Sequence, residues 1–450
     1  MGKSDSAVNL SDREQQIIDK LAVVVGIIGQ IYLKQKNQAY PSGNLYPPDI
    51  TREEFDQAAI RDPELKRFDT IVERMNASRL VAIPYNEKYQ EEYARIKKLV
   101  AEARDLSDDE SFRRYLESLS RCLTSGSTAD YWLMMTEWVR TQDYAINFPF
   151  TYDEPYMDRL VGIKGGFNAG IFLKDEALTA TITRPLETLE DFKSTLVFPA
   201  PPKVFPKLQA AVYRTVKHEG MMAEMELRAW NLPNDLRVRE TVGARQTIIK
   251  EGQERACLKQ AWPIAQEVFP EAVGQISQDK LLAGFFTVAM MHEISHNIGR
   301  YEKESDLEKY FSVFEELKAY LLPILWVDFL TKKNIFTASQ KQAAILAIFS
   351  INFVDIILAE TIKARESYSQ SAIVKFNYLL QAKALRVSQG CISVDLDRIV
   401  PAARELFNKV IELAARGNFQ RARKYIDQYG SAQSLQPVIV RLRKILKPHV

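Results

Sequence analysis

Cysteine is scarce in this sequence. The 450 residues contain three, Cys122, Cys257 and Cys391. They lie far apart, are odd in number, and form no C-x-x-C pair. That excludes a disulfide framework and a cysteine-built zinc module, and it fits a reducing, cytoplasmic setting with free thiols. An excess of one charge is also missing. Sixty basic residues face 58 acidic ones, for a net charge of +2. The basic residues are spread along the chain, which argues against a nucleic-acid partner. Long apolar runs are rare as well. Leu21 to Ile28 is apolar but too short to span a bilayer, and acids and glutamines precede it rather than a basic region, so a buried helix is expected and no membrane partner. The opening Met1-Gly2-Lys3-Ser4-Asp5-Ser6 fits the loose myristoylation pattern, a pattern too short to overturn that expectation. The chain has no internal repeat and no low-complexity tract.

What is present is an ordinary globular composition, 46% hydrophobic and 26% charged, long enough for two or three domains. Residues 1–144 read as a mostly helical N-terminal region. Thr51 stands as an N-cap before Arg52-Glu53-Glu54. Glu87 to Leu106 has the spacing of an amphipathic helix, and Ser107-Asp108-Asp109-Glu110 opens another with acids in its first turn. Residues 145–257 change in texture. Asn147 to Tyr156 is aromatic with two prolines, Gly162 to Gly170 is glycine-rich, and Ala177 to Arg184 is rich in threonine and reads as β-prone. Met221 to Trp230 fits a strand or a short helix, Asn231 to Asp235 a turn, and Thr247 to Ile249 a strand. Residues 258–450 read as nearly all helix, broken near Gly390 to Asp397.

The most informative stretch is Phe285 to Gly299, which contains His292-Glu293-Ile294-Ser295-His296. Positions four apart share a helix face, so His292 and His296 can offer two imidazoles to one metal ion, with Glu293 able to reach a water there. Only four histidines occur in the whole chain, at 218, 292, 296 and 449. Catalytic zinc usually takes a third protein ligand and keeps one position for water. Glu315 and Glu316 are both available on the next helical stretch. They point about 100° apart, so one of them is expected to reach the metal. Glu316 is preferred, because nineteen residues separate it from His296, similar to the gap in thermolysin-type zinc peptidases.

Several ordered blocks resemble peptidase family M49, the dipeptidyl peptidase III family. They are Asp153-Glu154-Pro155-Tyr156 leading to Gly162-Ile163-Lys164, Asn231-Leu232-Pro233-Asn234, the His292 to Gly299 motif, Glu315-Glu316-Leu317-Lys318-Ala319, and Phe376-Asn377-Tyr378 with the tail Val394 to Asp397 and Gly417-Asn418-Phe419. The five-residue metal motif is similar to that of the branch whose plant members carry a fused Nudix domain, a domain not found in these residues. The resemblance implies an α+β fold, mostly α. Two lobes, discontinuous in sequence, would flank a cleft, one helical and zinc-binding, the other with a small β-barrel. It implies one zinc ion per chain held by His292, His296 and Glu316, with Glu293 as general base. Tyr156 would be a transition-state donor, and Glu154, Asn231 and Asn234 would bind substrate. Read without the resemblance, Tyr156 fits an aromatic core, Asn231 and Asn234 fit a turn, and Glu154 is an acid in a polar loop.

The departures from the family concern substrate recognition. A second catalytic-site histidine falls on Tyr368, which could still donate a hydrogen bond to an oxyanion. Two substrate-gripping arginines fall near Ala372 and Asn377, and the acid ending the metal-helix motif is Tyr320. The expected function is a zinc metallopeptidase-like hydrolase acting on a short peptide or a peptide-like small molecule. A zinc hydrolase of the same fold with a non-peptide substrate, and a catalytically silent binding protein, are the alternatives. Nothing in the sequence sets the oligomeric state.

Overall fold

The computed structural model describes residues 10–446 apart from 38, 41, 42, 77, 78, 142, 207, 226 and 362–364. The myristoylation-like hexapeptide and His449 lie outside the described residues. The chain divides into two compact units, both discontinuous in sequence. The first comprises residues 1–175, 213–227 and 232–245, and the second 176–212, 228–231 and 246–450.

The first unit begins with helix α1 (Asp12–Gln35), which contains the apolar run read as a buried helix. Ser11 and Glu14 form a capping box at its start, and Leu21, Val24, Val25 and Ile28 are fully buried. Helix α2 (Arg52–Arg61) is capped by Thr51, whose side chain accepts from the Glu54 amide. A hairpin follows, β1 (Thr70–Asn76) with β2 (Arg79–Pro84). Residues 12–140 are thus not purely helical. The Thr-Ile-Val and Leu-Val-Ala-Ile segments, rich in β-branched and apolar residues, were the available strand signal. Helices α3 (Gln90–Leu106), α4 (Glu110–Ser125) and α5 (Thr128–Arg140) then pack in succession, with α1 against α3. Asp109 caps α4 by accepting from the Phe112 amide. Strands β3 (Ile146–Asn147) and β4 (Phe150–Thr151) pair antiparallel with β5 (Asn168–Lys174), which pairs with β6 (Gln209–Gly220).

The second unit opens with helix α6 (Glu176–Glu187), where Ala177 to Arg184 was expected to be β-prone. The reason for the correction is spatial period. Thr179, Ile182 and Pro185 are buried at intervals of three, and burying that face outweighs a helix-propensity cost of only tenths of a kcal/mol per threonine. Thr181 and Thr183 donate their hydroxyls to carbonyls within the helix, those of Leu178 and Thr179. Strands β7 (Ala229–Leu232) and β8 (Arg245–Ile249) complete the six-stranded sheet, in the order β3-β5-β6-β8-β7 with β4 also on β5. That path has two ends. The sheet is open, and no closed β-barrel forms among the described residues, contrary to expectation. Two-residue strands such as β3 and β4 supply too little edge to close one.

The core of the second unit is helical. Helix α7 (Gln278–Ser295) carries the histidine motif. Helix α8 (Phe311–Lys332) carries the glutamate pair. Both pack on α9 (Ala338–Leu358), in which every residue from Gln342 to Ile357 is buried. Helix α10 (Glu366–Gln381) covers α8 and α9, a short hairpin of β9 (Leu385–Ser388) and β10 (Cys391–Val394) forms the break near Gly390, and α11 (Leu396–Arg416) packs on α8. Helices α1 and α9 are each long and apolar enough to cross a membrane by length and composition, but 89% of the relevant window of α9 is buried within the protein.

Gly284 sets the distance between α7 and α9. A Cβ there would stand 3.1 Å from the backbone of Ala343 and Ala344, so the helix with the histidine motif lies directly on its neighbour's main chain. Gly284→Val is expected to destabilise the protein by about 1–3 kcal/mol, seen as a lower urea midpoint at constant slope. An unchanged midpoint would refute the close crossing.

Candidate metal centre

His292 lies in the last turn of α7, and His296 caps it with αR backbone angles. The four-residue spacing brings their Nε2 atoms to 3.3 Å from each other. The end of α7 is held from two directions. Arg300 donates to the His296 carbonyl at 3.3 Å and to Glu304 at 2.6 Å. The Ser295 hydroxyl donates to the Met291 carbonyl at 2.6 Å.

Helix α8 presents its two glutamates to different sides of this histidine pair. Glu316 Oε2 stands 3.4 Å from His292 Nε2. Glu315 Oε1 meets the far nitrogen of His296, Nδ1, at 3.0 Å. One carboxylate can therefore act as a ligand while its neighbour fixes the orientation of a ring, the usual role of a carboxylate behind a metal-binding histidine. Among the described residues, His292, His296 and Glu316 are the one such group that brings its ligand atoms together, all within 4.8 Å of one another.

Two edges of this triangle suit a tetrahedral ion, while the group as a whole spans up to 4.8 Å. Nitrogen and oxygen ligands at zinc distances are separated by about 3.3–3.4 Å along a tetrahedral edge, which matches the two separations of 3.3 and 3.4 Å. Glu316 Oε2 is buried without a hydrogen-bond partner, its approach to His292 being misaligned for one. A buried carboxylate oxygen left this way costs about 1–3 kcal/mol or more. A cation at the centre of the triangle would remove that cost.

The electrostatics fit the same assignment. Burial would raise the Glu315 carboxyl, but Lys318, His296 and Arg300 reverse this and hold it far below the usual range. Lys318 Nζ is 2.8 Å from Glu315 Oε2 in a buried ion pair. Burial would also raise Glu316, and the adjoining imidazoles of His292 and His296 bring it below the ordinary value. For His296, burial favours the neutral ring, yet the Glu315 hydrogen bond and the charges of Glu316, Glu315 and Glu293 push its pKa above the ordinary value. Sequence reasoning treated Glu315 as a rival ligand and did not single out Lys318 or Arg300. The signal for Lys318 was its position three residues after Glu315, on the same helix face.

Glu293 is partly exposed beside the cluster. Its carbonyl accepts from Asn297 and from Asn231, each at 3.4 Å, and Gln246 donates to Asn231 Oδ1 at 3.0 Å. Asn231 thus belongs to the second unit and grips the turn that carries Glu293. Tyr368, on α10, has its hydroxyl pKa raised well above the ordinary value, first by the negative charge of Glu316, then by burial and by Glu293. It stays protonated. Tyr320 directs its hydroxyl to Asp355 Oδ2 at 3.0 Å, while its ring lies 4.5 Å from that of His292.

Glu154, Tyr156 and Asn234 lie in the first unit. Asn234 Nδ2 donates to Glu154 Oε1 at 2.5 Å. Tyr156 is 56% exposed, which rules out the reading of it as a core aromatic. Burial and the neighbouring Asp153 push the Glu154 carboxyl up to about 7, against the hydrogen bonds from Asn234 and Tyr156 and the charge of Arg239.

No protein-family model matches the chain. A curated protein, Nudix hydrolase 3 of Arabidopsis thaliana, is 24% identical over 86% of this chain and 54% of the plant protein. The chain therefore spans about half the length of the curated relative it matches. A solved structure of dipeptidyl peptidase III from Caldithrix abyssi is 25% identical, with a TM-score of 0.85 over 97% of this chain and 93% of that one. The chain has the fold of dipeptidyl peptidase III. A second such structure, from Corallococcus sp. strain EGB, is 21% identical, with a TM-score of 0.77 over 97% of this chain and 91% of that one.

The Glu154 carboxyl yields a pH test. Its folded pKa of about 7 exceeds the unfolded value of about 4.3. The folded state therefore binds the extra proton, and stability falls as pH rises from about 4 to about 7 and stays lost above that. Glu154→Gln keeps an acceptor for Asn234 without the charge. It should match the parent at pH 4 and exceed it at pH 8 by on the order of 2–3 kcal/mol, measured by urea unfolding. Equal stabilities at pH 8 would refute the buried, proton-holding carboxyl.

Proposed function

We propose that the chain is a zinc-dependent hydrolase of the dipeptidyl peptidase III type, cleaving an amide bond in a short peptide. The observation that carries this reading is the triangle of His292, His296 and Glu316, with two ligand separations matching tetrahedral edges and an unpartnered buried carboxylate oxygen. Two imidazoles and a carboxylate are a donor set suited to catalytic zinc. The plant relative's Nudix name supports a place beside the Nudix-associated branch.

Zinc held there supplies Lewis acidity toward the scissile carbonyl and a nucleophilic water near neutral pH. The protein's own groups do the rest. Glu293 takes a proton from the attacking water on its carboxylate oxygen and delivers it to the leaving amine nitrogen. Asn231 and Asn297 hold the Glu293 carbonyl, which fixes the carboxylate's starting point. Tyr368 keeps its proton and can donate to the carbonyl oxygen as negative charge develops there. Glu315, braced by Lys318, fixes the His296 ring. The roles of Glu154 and Asn234 in substrate binding, and of Tyr156 as a transition-state donor, rest on the sequence resemblance and are proposed on that ground.

A second reading, a non-peptide or modified small-molecule substrate, is favoured by one observation. The positions expected to carry substrate-gripping arginines are committed elsewhere. Ala372 is fully buried, and Asn377 donates to the carbonyls of Tyr429 and Ser431 at 2.6 and 2.7 Å. A panel of dipeptidyl arylamides run beside a panel of metabolite amides separates the two readings.

Protein purified without chelator or added metal should contain about one zinc per chain by mass spectrometry, and Glu316→Ala should contain almost none. Absence of zinc from the parent, even after exposure to micromolar zinc, would cancel the assignment. Glu293→Gln should retain the metal and lose about 10²–10⁴-fold in kcat. Retained turnover would remove Glu293 as the general base.

A further inference from the structure

Asp355 is fully buried in α9, where three groups converge on it. The Tyr320 hydroxyl donates to its Oδ2 at 3.0 Å, Arg365 Nη1 lies 3.4 Å from its Oδ1, and Arg228 Nη2 lies 3.9 Å from the same oxygen. One carboxylate therefore faces two guanidiniums, neither of which can release its proton. The cluster carries a surplus positive charge.

Both arginines retain donor capacity. Arg228 makes no side-chain hydrogen bond among the described residues, its approach to Asp355 being 3.9 Å. Its side chain is 22% exposed and that of Arg365 is 27% exposed, whereas Asp355 is not exposed at all. The buried acid thus faces both guanidiniums, accepting a hydrogen bond from Arg365 and lying 3.9 Å from Arg228, while each arginine side chain stays partly exposed. A guanidinium has five N–H donors in a fork that matches a carboxylate.

The cluster also borders the metal centre. The Arg365 guanidinium lies over the Tyr368 ring at 5.2 Å, and the strongest influence on the Tyr368 hydroxyl is the ligand Glu316. On the other side, the Tyr320 ring links Asp355 to His292 at 4.5 Å between ring centres. All of these residues belong to the second unit.

We propose that Arg228 and Arg365, gathered around Asp355, form a carboxylate-binding subsite beside the candidate metal centre, which makes acidic short peptides the favoured substrate class. The carboxylate comes from an Asp or Glu side chain or from a free C-terminus. As a substrate subsite this rests on the hydrolase reading above. The two are tested apart by measuring binding as well as cleavage.

The probes are four tetrapeptides, with Glu or Gln at one interior position and a free or amidated C-terminus. They are titrated calorimetrically into zinc-loaded Glu293→Gln protein and assayed for cleavage by the parent. The protein should bind at least one carboxylate-bearing form about tenfold to a hundredfold more tightly than its neutral counterpart. The Glu–Gln pair and the acid–amide pair identify the source of the carboxylate. Arg228→Gln and Arg365→Gln should each shrink that preference, with Arg→Lys intermediate because it keeps charge but loses the fork. Zinc content and unfolding midpoint check that each variant is folded, and the preference of the otherwise unaltered protein needs no arginine variant. Equal binding of acidic and neutral forms would overturn the subsite, as would arginine variants that weaken both forms alike. Arginine-dependent binding without cleavage of any peptide would leave the subsite standing and remove the hydrolase reading. Cleavage indifferent to charge would do the reverse.

Discussion

Two adjacent carboxylates buried on one helix are the constraint from which the second unit is built. Glu315 and Glu316 occupy consecutive positions on α8, each with a side chain nearly excluded from water. Left ionised and alone, such groups would cost several kcal/mol apiece. The surroundings are arranged around that cost. Lys318 and the His296 ring answer Glu315, Arg300 stands close by, and the histidine pair answers Glu316. The roughly 100° between neighbouring helix positions lets α8 serve both sides of the histidine pair. One glutamate faces the shared centre and the other supports a ring from behind. A single helix thus supplies both a donor and the brace that orients another donor, so the geometry of the site depends on the rotation of α8 about its own axis.

The features legible in the sequence were those encoded over short spacings. Two histidines four positions apart on a helix, and two glutamates on the next, were enough to find the cluster, because helix geometry fixes where such side chains point. Thr51 and the acids around Asp109 were legible as caps for the same reason. Less legible was anything decided by distant partners. The threonine-rich stretch of α6 looks β-prone until its three-residue burial pattern is known. The open sheet brings together strands from 146 to 249, and nothing local says whether such strands close into a barrel. Asp355, Arg228 and Arg365 meet from sequence positions more than a hundred residues apart at the extremes, so no spacing rule could have assembled them.

Three buried lysines show how differently the fold treats the same side chain. Lys164 is fully enclosed but donates to the carbonyls of Leu65 and Arg67 and to the Thr70 hydroxyl, a cage of neutral acceptors. Lys318 is enclosed with a carboxylate partner and keeps the histidine brace in place. Lys375 is enclosed with Asn352 as its acceptor and the Tyr320 ring 4.8 Å away, and burial drives its pKa well below the ordinary value. Of the three, Lys318 alone is tied to the histidine–glutamate cluster through a charge.

Helix α9 has a consequence for how the chain is made. From Gln342 to Val354 it carries no charged side chain, and every position is covered in the finished protein. During synthesis this stretch leaves the ribosome after α7 and α8 but before α10, which covers much of it. For that interval a mostly apolar, uncharged segment rich in isoleucine and phenylalanine is exposed, with no charge inside it to discourage self-association. Prompt docking onto α7 and α8, both already made, would shorten that exposure. A stretch enclosed throughout in the native fold is therefore open to misassembly while the chain is being made.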